Sequence, residues 1–310
     1  MSVNVLFSAH ADRWPQYRDL LTSAIITTGV DFNLATDFDP AEVDYVVYAP
    51  NSGLRDFAPF ARLKAVLSLW AGVESIVGNP TLTVPLARMV DHGLQQGMTE
   101  WVTGHVLRHH LGMDRHITGQ DGIWRTDVPP LAPSRTVCIL GLGELGQAAG
   151  KALASLGFNV TGWSRTPKSI PEVTCFDGAS GLQTALEGAE ILVLLLPDTP
   201  ATTNILDAKT LAKLPRGAVI INPGRGPLID DDALLAALGS GHVGHATLDV
   251  FRTEPLPPDH PYWSHKRVTV TPHIASETRP ETAVLAIAEN IRRGEAGEPF
   301  LHLVDRTLGY

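Results

Sequence analysis

One six-residue turn constrains this chain more than any other feature. Gly141-Leu142-Gly143-Glu144-Leu145-Gly146 follows the apolar run TVCIL (residues 136–140) without a gap and opens a helix-like stretch, residues 144–156. Each glycine has a separate physical reason. Gly141 permits a tight turn, Gly143 lets the backbone approach a pyrophosphate, and Gly146 lets helix pack on strand. From Glu144 and Leu145 onward the helix N-terminus offers unpaired N–H groups and a positive dipole end to phosphate. The glycines alone are a weak signal. A strand before them and a helix after them make the reading a dinucleotide-binding loop on a βαβ unit.

The next strand is read over residues 159–162, and its end carries Trp163-Ser164-Arg165-Thr166-Pro167-Lys168. A site for NAD places Asp or Glu there to bind the ribose hydroxyls. No carboxylate is present. Ser164 is small and neutral, while Arg165 and Lys168 are suited to neutralising a 2′-phosphate. The expectation is therefore NADPH or NADP as preferred cofactor, with NADH still usable. The alternative is that Arg165 and Lys168 are ordinary solvated charges.

The remaining pattern repeats strand and helix. Residues 3–8, 43–49 and 64–70 read as strands, with a helix over 13–28. After one long helix over 98–116 and a proline-rich connector at 127–135, further strands fall at 189–196, 218–221, 246–250 and 268–271, with a last helix over 279–292. The runs ILVLLL and AVII are apolar on both faces, as central parallel strands covered by helices are. With 310 residues, 44% of them hydrophobic, the chain suits one large or two ordinary domains. Its 24 basic against 33 acidic side chains argue against nucleic acid or an anionic membrane as partner. No apolar run reaches a membrane span, the first residues lack a signal-peptide pattern, and two cysteines, Cys138 and Cys175, make no disulfide framework. A cytoplasmic location is expected. His105 and His109 stand at i, i+4 spacing, but without HExxH or a third ligand the reading is no metal.

Three later segments each end a strand, on the side where open α/β sheets bind ligands. In Asn222-Pro223-Gly224-Arg225-Gly226, two glycines flank an arginine whose planar guanidinium suits a carboxylate or 2-oxo acid. The second segment runs from Asp249 to Glu254, and the third holds Thr271-Pro272-His273. A histidine held by a buried carboxylate is a good proton donor. Singly, Arg225 reads equally as a turn residue, Glu254 as a surface acid and His273 as a satisfied core histidine. Their order behind a dinucleotide loop favours chemistry.

These segments make the chain resemble the D-isomer-specific 2-hydroxyacid dehydrogenase family over nearly its whole length. The resemblance rests on GLGELG, LLLPDTPATTNIL (194–206), NPGRGPLIDDDAL (222–234), LDVFRTEPLP (248–257) and TPHIAS (271–276). Within the family the sequence is most similar to bacterial NADPH-dependent glyoxylate/hydroxypyruvate reductases of the A type, through LWAGVESI, VPLARMVD, GWSRTPKS, Thr278-Arg279-Pro280 and the closing VDRTLGY. It implies two Rossmann-like, doubly wound parallel-sheet domains. The flavodoxin-like substrate domain would comprise residues 1–96 and 284–310, the NAD(P)-binding domain residues 97–283, with the active site in the cleft. Arg225 would bind the substrate, His273 would protonate the keto oxygen and Glu254 would hold His273. Asp249 would meet the nicotinamide carboxamide. Leu196, Pro197 and Thr202, with Pro223 and Gly224, would line the cofactor side, and Ala71 and Gly72 would offer backbone N–H groups to the substrate carboxylate. The helix and arm over 98–135 would form a homodimer.

Some positions depart from the family pattern. Trp70 stands where a small residue is expected, so it either caps the substrate pocket or packs in the core. Glu74 replaces a more usual Asp. Tyr48 either lines the substrate side or packs, and Arg279 either reaches an anionic substrate or is a surface residue at a helix start. Reduction of glyoxylate and hydroxypyruvate is the favoured activity. The rivals are a bulkier 2-oxo acid or phosphoglycerate as substrate, and a dinucleotide-sensing corepressor-like binding protein.

Overall fold

The structure is a computed structural model that describes residues 2–310. It falls into two compact units, the chain up to Leu94 together with Thr278–Tyr310, and Gln95–Glu277.

In the first unit β1 (Val3–Ser8) leads to α1 (Trp14–Thr27), followed by β2 (Phe32–Ala35), β3 (Tyr45–Tyr48), β4 (Ala65–Ser68) and the two-residue β5 (Leu86–Ala87). All pairings are parallel and the order is β2-β1-β3-β4-β5, the flavodoxin-like arrangement. β3 (YVVY) and β4 (AVLS) are buried on both faces, as their unbroken apolar runs require. α1 turns Tyr17, Leu21, Ala24 and Ile25 inward, one stripe at helical spacing.

The chain crosses along α2 (His92–His110) and the short α3 (Asp114–Ile117). These replace the single helix expected over 98–116. Gly112 has φ +61, and Arg108 grips Asp114 through two bonds of 2.7 and 2.9 Å, so the chain turns there instead of continuing. The second unit continues with β6 (Thr136–Leu140), α4 (Glu144–Ser155), β7 (Asn159–Ser164), β8 (Thr174–Asp177), α5 (Gly178–Glu187), β9 (Ile191–Leu194), α6 (Ala208–Leu211), β10 (Ala218–Asn222), α7 (Asp231–Gly239), β11 (Val243–Leu248) and β12 (Val268–Val270). Its seven parallel strands run β12-β11-β10-β9-β6-β7-β8, which is the doubly wound order with a reversal between β6 and β9. The loops after those two strands are the glycine turn and the 195–203 segment.

The last helix, α8 (Pro280–Ala296), belongs to the first unit, where Ala283, Val284, Ile287, Ala288 and Ile291 share a core with α1 and β1. The return therefore falls at Thr278, six residues before the expected 284, and the first crossing falls two residues before the expected 97. Two contacts explain the return. The Thr278 hydroxyl donates to the Leu69 carbonyl at 2.7 Å, and the buried stripe of α8 starts in its first turn. The fold class expected from the sequence is the one found.

Candidate active site

The glycine turn has the shape a dinucleotide needs. Gly141 has φ +107, and a Cβ there would lie 2.5 Å from the Leu195 carbonyl oxygen, so the two switch-point loops abut backbone to backbone. A Cβ on Gly146 would lie 1.9 Å from the Gly141 oxygen, which lets α4 press against β6. Gly143, at the N-cap of α4, faces open space and is exposed. Glu144 is exposed and Leu145 half-buried in the first turn. Beyond β7, Ser164 is buried and donates to the Thr166 carbonyl at 2.7 Å. That bond turns the chain so that Arg165 and Lys168 are both exposed. In the 195–203 loop the Thr202 hydroxyl donates to the Pro197 carbonyl at 2.6 Å and receives the Thr199 N–H at 2.9 Å. Thr202 thus shapes this loop. The Leu196 side chain is in the apolar core, which leaves its backbone to face the loop. These residues fit a phosphorylated dinucleotide.

The reactive groups are positioned by buried polar residues at strand ends. Asn222, 1% exposed at the end of β10, donates to the Arg225 carbonyl at 2.9 Å and accepts the Gly224 N–H at 3.1 Å. Pro223 and Gly224 are buried within this turn. A Cβ on Gly226 would lie 2.0 Å from the Phe251 carbonyl carbon, so glycine here seats the Arg225 turn directly on the 251–252 backbone. Arg225 itself is half-buried, and its Nη1 donates to the Gly224 carbonyl at 2.7 Å. The guanidinium is thus tethered to its own turn.

Glu254 bridges two partners. One oxygen accepts the Phe251 N–H at 2.9 Å, and the other meets Nδ1 of His273 at 2.7 Å. The pair is not buried as expected. The side chains are 52% exposed for His273 and 35% for Glu254, because both stand on loops beyond the strand ends. With Nδ1–H donating to the carboxylate, Nε2 is the ring nitrogen available for proton transfer.

Asp249 is completely buried, and its carboxylate meets three donors of the His273 segment: Thr271 Oγ1 at 2.6 Å, Ile274 N and Ala275 N at 2.9 Å each. In this structure it organises that segment. Sequence reasoning missed Thr271 and Asn222 as organisers. The available signal was a polar residue at the end of an apolar strand.

In the first unit, Trp70 is 45% exposed, so it does not pack in the core. Its backbone N–H and carbonyl are both bonded to the Ser68 hydroxyl at 3.0 Å. Ala71 and Gly72 follow, half-buried. Tyr48 is core: its ring meets Phe57 at 5.9 Å, and burial raises its phenol pKa against the opposing pull of Arg55. Arg279 is exposed at the N-cap of α8, and Glu74 is exposed too.

His109 of α2 and His245 of β11 both bond to threonine hydroxyls. Nε2 of His109 bonds the Thr247 hydroxyl and Nε2 of His245 the Thr269 hydroxyl, each at 2.9 Å. Burial first, with Arg108 adding in both cases, pushes His109 down to about 3 and His245 down to about 4.

Comparison with known proteins gives the class. The family model for the D-isomer specific 2-hydroxyacid dehydrogenase NAD-binding domain matches residues 103–275. The chain belongs to that family. Among its relatives, it is 39% identical to a glyoxylate/hydroxypyruvate reductase A from Yersinia enterocolitica, across 99% of this chain and 100% of that protein. A D-isomer specific 2-hydroxyacid dehydrogenase from Xanthobacter autotrophicus Py2, solved in complex with NADPH and MES, superposes with TM-score 0.93 at 43% identity, covering 100% of both chains. The NADPH-dependent glyoxylate/hydroxypyruvate reductase of Sinorhizobium meliloti, solved with NADP and sulfate, gives TM-score 0.85 at 35% identity, again over 100% of both chains.

Proposed function

We propose that this chain reduces small 2-oxo acids with NADPH, taking glyoxylate to glycolate and hydroxypyruvate to D-glycerate. The observation that carries the reading is the 2.7 Å His273–Glu254 pair at the strand ends of a sheet whose glycine turn and Arg165–Lys168 segment suit NADP. Bound NADPH supplies the hydride. The protein's part is to place and polarise. Arg225 holds the anionic substrate and stabilises charge developing on the keto oxygen. His273 gives that oxygen a proton from Nε2, while Glu254 fixes the ring and takes the Nδ1 hydrogen bond. Gly143 and the first turn of α4 hold the pyrophosphate, and Arg165 with Lys168 holds the 2′-phosphate. Relatives named for this activity support the reading.

NADPH oxidation with glyoxylate, hydroxypyruvate and bulkier 2-oxo acids tests it, and no turnover with any of them would refute it. Arg165→Ala sharpens the cofactor assignment. Loss of a charge-assisted bond, about 1.5–3 kcal/mol, raises KM for NADPH by roughly 10-fold to 100-fold and leaves NADH nearly unchanged. Parallel loss for both cofactors would contradict 2′-phosphate recognition.

We also propose a homodimer in the cytoplasm. No helix among the described residues is long and apolar enough to cross a membrane. Ile117, Ile123, Trp124, Val128 and Leu131 are all exposed on one short stretch, Trp124 at 90%. A run of large apolar side chains in water marks an interface. Sedimentation should give a dimer mass, and Trp124→Glu should shift it toward monomer; a monomeric wild type would remove the proposal.

A further inference from the structure

His273 has a left-handed backbone, φ +55. For a residue with a side chain that conformation is strained and persists only where the surroundings enforce it. Most of the enforcing bonds lead to Asp249, and the His273 N–H also reaches the Thr271 carbonyl at 3.1 Å. The Asp249 backbone carbonyl accepts the His273 N–H at 2.8 Å. Its carboxylate accepts the next two N–H groups, Ile274 on Oδ1 and Ala275 on Oδ2, each at 2.9 Å. Successive amides converging on one anion around a left-handed residue form a nest.

The nest works only if the carboxylate plane is correctly turned, and the Asp χ2 torsion is broad and roughly two-fold. A third contact sets it. Thr271 Oγ1 donates to Oδ1 at 2.6 Å, a short bond to a carboxylate oxygen. Thr271 is itself fixed to the sheet, since its N–H donates to the Leu248 carbonyl at 2.9 Å, and its branched Cβ stiffens χ1. Asp249 is 0% exposed, so bulk water does not substitute for the hydroxyl.

We propose that Thr271 is a positioning residue for proton transfer: its hydroxyl locks the Asp249 carboxylate onto the Ile274 and Ala275 amides and thereby holds the His273 imidazole on Glu254. This rests on the reading of His273 as the proton donor. Thr271 touches no reacting atom, and it acts through the orientation of one carboxylate and the backbone that carboxylate grips. A small misplacement of a catalytic group costs much in rate and little in binding.

The test uses the full chain and three substitutions. Thr271→Val keeps the shape and removes the hydroxyl, Thr271→Ala removes it without crowding if the valine variant folds poorly, and Thr271→Ser restores it. Thr271→Val is expected to lower kcat for glyoxylate reduction by about 10-fold, with KM for NADPH and glyoxylate changed less than about 2-fold. Thr271→Ser should recover most of kcat. Amide hydrogen exchange at residues 273–275, measured without substrate, should quicken in the valine or alanine variant and stay slow in the serine variant. Wild-type kcat together with wild-type exchange in the hydroxyl-less variants would overturn the proposal, as would a serine variant no better than valine. Failure of the wild type itself to turn over would count against the reductase reading alone, because the exchange readout judges the Thr271 lock independently.

Discussion

His109 and His245 face each other with ring centroids 4.9 Å apart, each bonded to a threonine hydroxyl and neither bonded to a carboxylate. His273, in the same unit, stands 52% exposed with a carboxylate oxygen 2.7 Å from Nδ1. The first two lie where α2 packs on β11 and β12. Burial without a bonded counter-charge strips them of their protons. The third stands on a loop beyond the sheet, with a carboxylate to orient it and solvent to exchange with. One residue type thus serves packing in one place and, on the proposed function, proton delivery in the other, and the neighbours decide which.

The contrast can be broken at its strongest point first. His273→Gln should lower kcat by about 10³-fold, within the range ascribed to general acid catalysis, while NADPH still binds with wild-type affinity by fluorescence titration. Glu254→Gln leaves the ring in place but weakens its orientation, and kcat should fall on the order of 10²-fold with a smaller change in KM. The buried pair predicts an effect on stability instead of rate. The unfolded chain takes up histidine protons near pH 6.5, whereas folded His109 resists down to about 3 and His245 down to about 4. Their contribution to stability is complete above pH 6.5 and is lost as pH falls toward those folded values. For His109 the loss between pH 6.5 and about 5 is roughly 2 kcal/mol, with His245 acting in the same direction. Urea denaturation across that range should show a falling midpoint, and His109→Gln, which keeps a partner for Thr247, should flatten the fall. An unchanged slope would mean that these histidines are not held neutral.

Much of the fold was legible because it depends on local pattern. Runs such as VNVLFS and TVCIL, bounded by turns, gave β1 and β6 to the residue. The edge strands β2 (FNLA), β5 (LA) and β8 (TCFD) escaped because they are short and mixed in polarity, so they take strand form only by pairing with a neighbour. The break at Gly112 escaped because the surrounding residues continue a helical pattern, and the Arg108–Asp114 grip closes only once the turn exists. In the site, residue types and order pointed to Arg225, Glu254 and His273. The tether on Arg225, the exposure of the His–Glu pair and the Thr271–Asp249 lock were not readable, because each depends on which backbone amides converge after the strands are paired.

The central claim is that His273 and Glu254 act as one proton-delivering unit in reduction of a 2-oxo acid by NADPH. A double-mutant cycle measures this most directly: kcat for glyoxylate with the wild type, His273→Gln, Glu254→Gln and the double variant. The account predicts that the double variant is no slower than His273→Gln, since Glu254 acts only through the ring. Independent, multiplying losses, or a His273→Gln enzyme as fast as the wild type, would contradict it.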